Sequence, residues 1–186
     1  SVVLYWKYES PACRTPNSTS SGTPISVAGN SVVQTGGTTL LFTNRDSDTT
    51  LVELNTAIPS AVNPYWYGWD RSSNVSPTGV VVHHPNGDEK RISFENDPLV
   101  ESNVPLRGDG VLGNKHWRIN DWDVGTTEQG SSGSGLMNAQ KRLIGVLSGG
   151  SALCGNNLED YFARLNAAWE GTGPGSGNIR LHLDPG

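Results

Sequence analysis

The chain has 186 residues, a length typical of one domain, and carries 13 basic against 18 acidic residues. The net charge of −5 and the pI near 5.3 argue against a nucleic-acid partner, because phosphate binding needs a basic face. No apolar run approaches the roughly 18 residues of a membrane span, so we expect no membrane partner.

The residue pattern predicts mostly short strands. The candidate segments are rich in Val, Ile, Leu, Thr and aromatic residues, and Gly, Pro, Asn or Ser bound each of them. They are residues 1–8, 31–34, 38–42, 50–55, 65–69, 79–84, 91–94, 115–119 and 142–148. Residues 11–29 predict a polar surface loop, and residues 171–177 predict a flexible turn. Many short strands separated by turns indicate an all-β sandwich or barrel.

Residues 158–171 depart from this pattern. Apolar residues stand at positions 158, 161, 162, 165, 168 and 169, which is the spacing of one helix face. Asn157 is a candidate cap and Gly171 a candidate stop. The local pattern therefore predicts a helix here.

The first predicted strand starts abruptly at Ser1. No turn precedes it, and the start shows neither an initiator Met nor a signal-peptide pattern. We therefore expect that an upstream segment belongs to the natural protein.

The cysteines and histidines give little support for a metal site. Cys13 and Cys154 form no C-x-x-C motif, which excludes zinc-ribbon and thioredoxin-type sites. His83 and His84 are adjacent on a predicted strand, so their side chains point to opposite faces and cannot chelate one ion together. We predict no metal and no cofactor.

The polar segment of residues 44–48 stands directly before a predicted buried strand. Oxygen-bearing side chains at 44, 46 and 48 are similar to the start of a calcium loop. Thr49 occupies the position of the turn glycine and Asn55 that of the bidentate glutamate, so an EF-hand is excluded. The segment is then either a solvated turn or a site where Asp48 turns inward against an imidazole.

Residues 130–135 form a loop of glycines and serines. Glycines allow a tight turn that projects a serine hydroxyl, and the neighbouring backbone N–H groups can converge on an oxyanion. The loop is therefore either an ordinary turn or the site of an acyl-transfer nucleophile.

The aromatic run of Tyr65, Trp66, Tyr67 and Trp69 also has two interpretations. Aromatic faces stack on sugar rings, so the run fits a carbohydrate-binding surface. More often such a run belongs to the core of a hairpin, and we expect the hairpin core here.

Several sequence blocks occur in the same order, at similar spacing, in a known family. They are SDTTLVEL at 47–54, GWDR at 68–71, HHPN at 83–86, EKRIS at 89–93, TEQGSSGS at 127–134 and LSGG at 147–150. The chain resembles the bacterial lysyl endopeptidases, which are secreted serine proteases. The resemblance runs from Ser1 to about Pro185.

The resemblance implies an all-β, chymotrypsin-like double β-barrel whose N-terminal barrel is incomplete in this chain. Residues 1–60 would be the remainder of the first β-barrel, and residues 61–186 the second β-barrel with the C-terminal segment. It also implies a strand at 160–168, in place of the helix that the local pattern predicts, and a short helix near 178–183. Like the family, the protein is expected to be secreted.

Site residues follow from the resemblance as expectations. Ser132 is similar to the nucleophile, and the N–H groups of Gly130 and Ser132 to the oxyanion hole. Asp48 is similar to the acid that orients the catalytic imidazole. Asp160 falls where the family has its pocket aspartate, which suits a Lys or Arg side chain.

The segment of Ser148, Gly149 and Gly150 is similar to the part of the family that pairs with the substrate backbone. Here the chain departs from the family, which has Leu-His-Gly-Gly, so Arg is allowed beside Lys. The family also pairs the cysteines that match Cys13 and Cys154 with cysteines nearer the N-terminus. We therefore predict that these two are not bonded to each other.

The largest departure concerns the catalytic histidine. The family carries it in an Ala-x-His-Cys-like block upstream of the residues that match Ser1, and none of the four histidines here lies in such a block. The resemblance implies a serine endopeptidase that cleaves polypeptides after Lys or Arg, with the isolated chain inactive. The alternatives are a non-catalytic protease-like binding module and a carbohydrate-binding β-sandwich.

Overall fold

The computed structural model describes residues 2–15, 18–19, 31–103, 115–171 and 177–184. Much of the predicted surface loop at 11–29, most of the predicted turn at 171–177 and Ser1 lie outside the described residues. Among the described residues, no helix has the length and hydropathy needed to cross a membrane.

The described residues form short strands and two short helices. The strands are β1 (Leu4–Trp6), β2 (Val32–Gln34), β3 (Thr38–Asn44), β4 (Thr49–Leu54), β5 (Gly68–Trp69), β6 (Gly79–His83), β7 (Arg91–Glu95), β8 (Val100–Ser102), β9 (His116–Ile119), β10 (Gly135–Met137), β11 (Arg142–Gly150) and β12 (Asp160–Arg164). The helices are α1 (Leu165–Glu170) and α2 (Arg180–Leu183). These bounds confirm most of the predicted strands and the short helix near 178–183.

Most strands after residue 60 belong to one large sheet. Its order is β7-β6-β10-β11-β12-β9-β8, with antiparallel neighbours throughout, and β5 pairs in parallel with the start of β11. The earlier strands form two antiparallel pairs, β1 with β2 and β3 with β4. Neighbouring strands β11 and β12 carry the segment of residues 148–150 and Asp160, and the loop that contains Ser132 precedes β10.

Alternation along the strands creates the main core. In β6, Val81 and His83 are buried while Val80 and Val82 are only half-buried, as expected for side chains that alternate between two faces. The core contains Trp117, Phe162 and other large side chains from strands that are distant in sequence. Its members are Val81, Leu99, Trp117, Ile119, Trp122, Leu136, Ile144, Leu147, Ala152 and Phe162.

A second cluster joins the β3–β4 hairpin to the C-terminal helices. Phe42 of β3 packs with Leu165, Ala168 and Trp169 of α1 and with Ile179, which precedes α2. Trp169 is 2% exposed. This cluster packs the hairpin that carries Asp48 against α1, which directly follows β12 of the large sheet.

The helix predicted at 158–171 is correct only in its second half. Residues 160–164 form β12, which pairs with β11 on one side and with β9 on the other. All five residues are buried, so hydrogen bonding on both sides overrides an apolar spacing that also fits a helix. The strand that the resemblance implied is also too long, because α1 begins at Leu165.

The hairpin-core interpretation of the aromatic run is wrong. Only Gly68–Trp69 forms a strand, and it pairs only with Arg142 and Leu143. Tyr65 and Trp66 are 71% and 74% exposed, and they pair with no strand among the described residues.

Candidate active site

The loop of residues 127–134 is tied both to itself and to β11. The N–H of Ser131 donates to the carbonyl of Glu128 at 3.0 Å, and the N–H of Ser134 donates to that of Ser131 at 3.1 Å. Gly133 N–H donates to Leu147 O, and Leu147 N–H donates to Ser134 O, both at 2.9 Å. These bonds hold a tight turn against the central strand.

Two glycines make this turn possible. Gly130 and Gly133 have φ values of +94° and +87°, in the region that favours glycine. A Cβ on Gly130 would lie 3.2 Å from the backbone nitrogen of Asn86. The turn leaves Ser132 exposed, while Ser131 immediately before it is fully buried.

Hydrogen bonds orient the peptide group before Gly130 and the peptide group before Ser132. The carbonyl of Gln129 accepts a hydrogen bond from Asn86 N–H at 2.7 Å, and the carbonyl of Ser131 accepts from Ser134. In a trans peptide the N–H points opposite to the C=O, so the amides of Gly130 and Ser132 point away from these partners. Within the described part of the chain, neither amide donates a backbone hydrogen bond. The turn that exposes Ser132 therefore also contains two amide donors without a backbone acceptor among the described residues.

The carboxylate of Glu128 makes two hydrogen bonds that support the loop. One carboxylate oxygen accepts the side-chain amide of Asn86, and the other accepts the N–H of Cys154 at 2.8 Å. The loop is thereby connected to the turn after β6 and to the turn between β11 and β12. On the first of these turns, Gly87 lines an open cavity of about 410 Å³ together with Tyr5, Tyr8 and His84.

Asp160 is the buried carboxylate nearest to this loop. It is the first residue of β12 and is 2% exposed. Its Oδ2 accepts the indole N–H of Trp122 at 2.8 Å and the hydroxyl of Thr127 at 2.6 Å. Burial raises the pKa of Asp160, and it outweighs the two hydrogen bonds, which lower that pKa.

Gly150 covers this carboxylate. It lies opposite Asp160 in the β11–β12 ladder, and a Cβ placed on Gly150 would overlap Asp160 Oδ1. Only glycine therefore fits here without a shift of the strands. Ser148 lies at the register shift between Leu147 and Gly149, and its buried hydroxyl has no hydrogen-bond partner among the described residues.

Asp48 lies in the turn between β3 and β4. The turn is closed by the Asn44 side chain, whose Oδ1 accepts the N–H of Ser47 at 2.9 Å. The charge of Asp48 acts on His116 of β9: it raises the pKa of that imidazole, whereas burial lowers the pKa more strongly. The imidazole on which the charge of Asp48 acts therefore belongs to a strand of the large sheet.

The two adjacent histidines point in opposite directions, as the strand pattern predicted. His83 turns inward to Ser131 and Ser93, while His84 bonds the carbonyl of Asp88 at 2.9 Å. Sequence reasoning did not connect His83 with the loop of Ser132. Its alternation with Val81 in β6 was the signal that could have placed it inside.

Cys13 and Cys154 are both exposed and both free. The prediction that they are not bonded to each other is therefore confirmed.

The fold of this chain is shared by a solved protease. The structure is similar to the crystal structure of the Rv3671c protease from M. tuberculosis in its active form, with a TM-score of 0.50 and 16% sequence identity. The similarity covers 71% of this chain and 57% of that one. It confirms the all-β, chymotrypsin-like fold, so the β-sandwich alternative is wrong in its architecture.

Sequence comparison identifies the family. The family model described as "Lysyl endopeptidase, C-terminal domain" matches residues 1–163, so the chain belongs to that family. A "Lysyl endopeptidase" of Pseudomonas aeruginosa is 32% identical over 147 residues, which cover 74% of this chain. The match spans only 29% of the length of that relative.

Proposed function

We propose that this chain carries the nucleophile and the specificity pocket of a serine endopeptidase that cleaves after Lys or Arg. The observation that carries the proposal is the exposed Ser132 on a turn where, among the described residues, the N–H groups of Gly130 and Ser132 donate no backbone hydrogen bond. The same loop contacts a buried carboxylate through Thr127. An exposed nucleophile, an oxyanion site and an anionic pocket together define this reaction class.

In the proposed reaction, Ser132 Oγ attacks the scissile carbonyl carbon and transfers its proton to an imidazole. The N–H groups of Gly130 and Ser132 stabilise the negative oxygen of the tetrahedral intermediate. The imidazolium then protonates the leaving amine, and an acyl-enzyme forms on Ser132. Water hydrolyses that ester with the same imidazole as base, and Asp48 orients the ring.

The base is proposed to come from outside this chain. His83 is bonded on both ring nitrogens within the core, and none of the four histidines lies in an Ala-x-His-Cys-like block. In the family that this chain resembles, that block lies upstream of the residues that match Ser1. We therefore propose that the isolated 186-residue chain is inactive and that the complete coding sequence yields the active, secreted enzyme.

The preference for Lys or Arg follows from the charge of Asp160. A buried carboxylate is stabilised by a substrate cation, and a neutral P1 side chain would leave that carboxylate without a counter-charge. At the position where the resembled family has His, this chain has the smaller Ser148. The proposed pocket therefore admits Arg as well as Lys.

Labelling with a fluorophosphonate, which reacts with activated serines, tests the proposal. The protein expressed from its complete coding sequence should label at Ser132, and Ser132→Ala should not label. Ser134→Ala, two residues further along the same loop, is the matched control and should label like the wild type. Labelling that survives Ser132→Ala would overturn the assignment of the nucleophile.

A second arm separates the enzyme from the protease-like binding module. Peptides with Lys, Arg or norleucine before a scissile bond are mixed with the complete protein, and both cleavage and binding are measured. Cleavage after Lys and Arg supports the enzyme. Binding of the Lys peptide without cleavage or labelling would favour the module, with Asp160 as its ligand site.

A further inference from the structure

One buried imidazole lies directly behind the candidate nucleophile loop and has no part in the reaction described above. His83, the last residue of β6, is 1% exposed. Its Nδ1 lies 2.8 Å from the hydroxyl of Ser131, and its Nε2 lies 3.2 Å from the hydroxyl of Ser93. Ser131 is the residue immediately before Ser132, so the imidazole connects β7 to the loop.

The other bonds of the two hydroxyls fix the direction of these contacts. Ser93 Oγ donates its only proton to the carbonyl of Thr126 at 2.9 Å, so it must accept from the ring, and Nε2 carries the proton. A neutral ring then has a bare Nδ1, which accepts the proton of Ser131. The hydroxyl of Ser131 in turn accepts Glu128 N–H at 3.3 Å. The neutral Nε2–H tautomer satisfies every member of this chain.

The surroundings favour that neutral form. Burial, the neighbouring His84 and the guanidinium of Arg91 all lower the pKa of His83, to about 4. The charge of Arg91 is shared with Glu89, which it meets at 2.8 Å. On the loop side, Glu128 presents its N–H to Ser131, while its carboxylate binds Cys154 N–H.

We propose that neutral His83 is a positioning residue that holds residues 127–132 in the conformation that exposes Ser132 and aims the amides of Gly130 and Ser132. The hydrogen-bond chain Thr126–Ser93–His83–Ser131–Glu128 spans both ends of this loop segment. The catalytic consequence rests on the proposed function, because it requires that these amides bind an oxyanion. The hydrogen-bond chain itself does not depend on activity.

A second proton on the ring would break this arrangement. An Nδ1–H would point at the Ser131 hydroxyl, which would have to turn its own proton away from the ring. Ser131 is fully buried and already accepts Glu128 N–H, and the hydrogen bonds of the described residues offer its proton no other acceptor. Loss of the bare Nδ1 should therefore release the turn that ends at Ser132.

The kinetic test uses the protein expressed from its complete coding sequence. His83→Asn keeps an acceptor oxygen near the position of Nδ1, whereas His83→Phe and Ser131→Ala remove the bond to the loop. We expect kcat to fall about 100-fold for the latter two, with KM within about twofold, because the oxyanion donors act mainly in the transition state. His83→Asn should stay within about tenfold of the wild type. His182→Gln, on exposed α2, is the control and should match the wild type.

Imidazole ¹⁵N NMR tests the hydrogen-bond chain without an activity measurement. Imidazole ¹⁵N shifts of His83 should report the Nε2–H tautomer and no titration between pH 8 and 5. An Nδ1–H tautomer, or titration near the ordinary pKa, would overturn the proposal even in an active enzyme. Equal kcat for Ser131→Ala and the wild type would also overturn it. If the wild type has no activity, the proposed function fails, and these shifts alone decide whether His83 holds the loop.

Discussion

We expect Asp160→Asn to raise the free energy of unfolding and to lower kcat/KM for peptides with Lys before the scissile bond. Asparagine has nearly the same shape and keeps one carbonyl oxygen, which can still accept the bonds of Trp122 and Thr127 that Oδ2 now accepts at 2.8 and 2.6 Å. The substitution therefore removes the charge while both buried donors keep their acceptor. The side chain remains under Gly150, so the register of β11 and β12 should not change.

The stability effect has a definite sign. Burial raises the pKa of Asp160 above its ordinary 3.8, so the wild-type group stabilises the fold only while it is protonated. That contribution is present below pH 3.8 and is lost as the pH rises through the raised pKa. Above that raised pKa the Asn variant should therefore be more stable than the wild type, because it carries no charge in the buried position.

The activity effect has the opposite sign. A substrate Lys in the proposed pocket would lose its counter-charge, and removing one partner of a buried charged pair costs about 2–5 kcal/mol. The kcat/KM for a Lys peptide should therefore fall at least about 30-fold, while the norleucine peptide loses little.

Two assays check these opposite effects. Urea unfolding between pH 4 and 8 gives the difference in stability, and paired Lys and norleucine peptides give the difference in specificity. A variant that is less stable at pH 7 by more than about 1 kcal/mol would refute the argument about buried charge. Unchanged cleavage after Lys would refute the assignment of the pocket.

The remaining predictions concern the loop, the second cluster and acid stability. Gly130→Ala should slow fluorophosphonate labelling about 100-fold, because φ is +94° and the new Cβ would crowd Asn86. The far-UV circular dichroism should not change. Labelling at the wild-type rate would contradict this prediction. Trp169→Ala should lower the free energy of unfolding in urea by about 3–5 kcal/mol, because Trp169 is buried in the second cluster. Trp66→Ala, at an exposed position, should change it by no more than about 0.5 kcal/mol. Equal losses in the two variants would contradict the role of the cluster. The folded-state pKa of His83 is lowered from 6.5 to about 4, so its stabilisation is complete above pH 6.5 and is lost as the pH falls towards 4. The free energy of unfolding should fall by about 3 kcal/mol over this range, and it should depend less on pH in His83→Asn.

The loop of Ser132 shows how far the sequence could be used. The glycines at 130 and 133 predicted a tight turn, and the structure gives both of them positive φ. The orientation of the amides was not predictable, because it depends on Asn86, which lies 43 residues before Gln129 and bonds its carbonyl. Contacts between distant segments decide which way a flexible turn faces.

Residues 158–171 show a different limit. Their apolar spacing fits a helix, and the last part does form α1. Residues 160–164 instead pair with strands on both sides, and this pairing requires β9 and β11 to be in place. A local pattern cannot contain that information, because the competing hydrogen bonds come from other parts of the chain.

The sequence by itself determined that this chain is an all-β protein of the lysyl endopeptidase family and where its glycine–serine loop and Asp160 stand along the chain. Turn residues, strand alternation and ordered motifs are properties of neighbouring positions, so they can be read locally. Only the tertiary structure decided that Asp160 is buried under Gly150, that the charge of Asp48 acts on His116, and that His83 bonds the hydroxyl of Ser131. Each of these depends on side chains that are distant in sequence and meet only in the fold, where burial and neighbouring charges shift their pKa values.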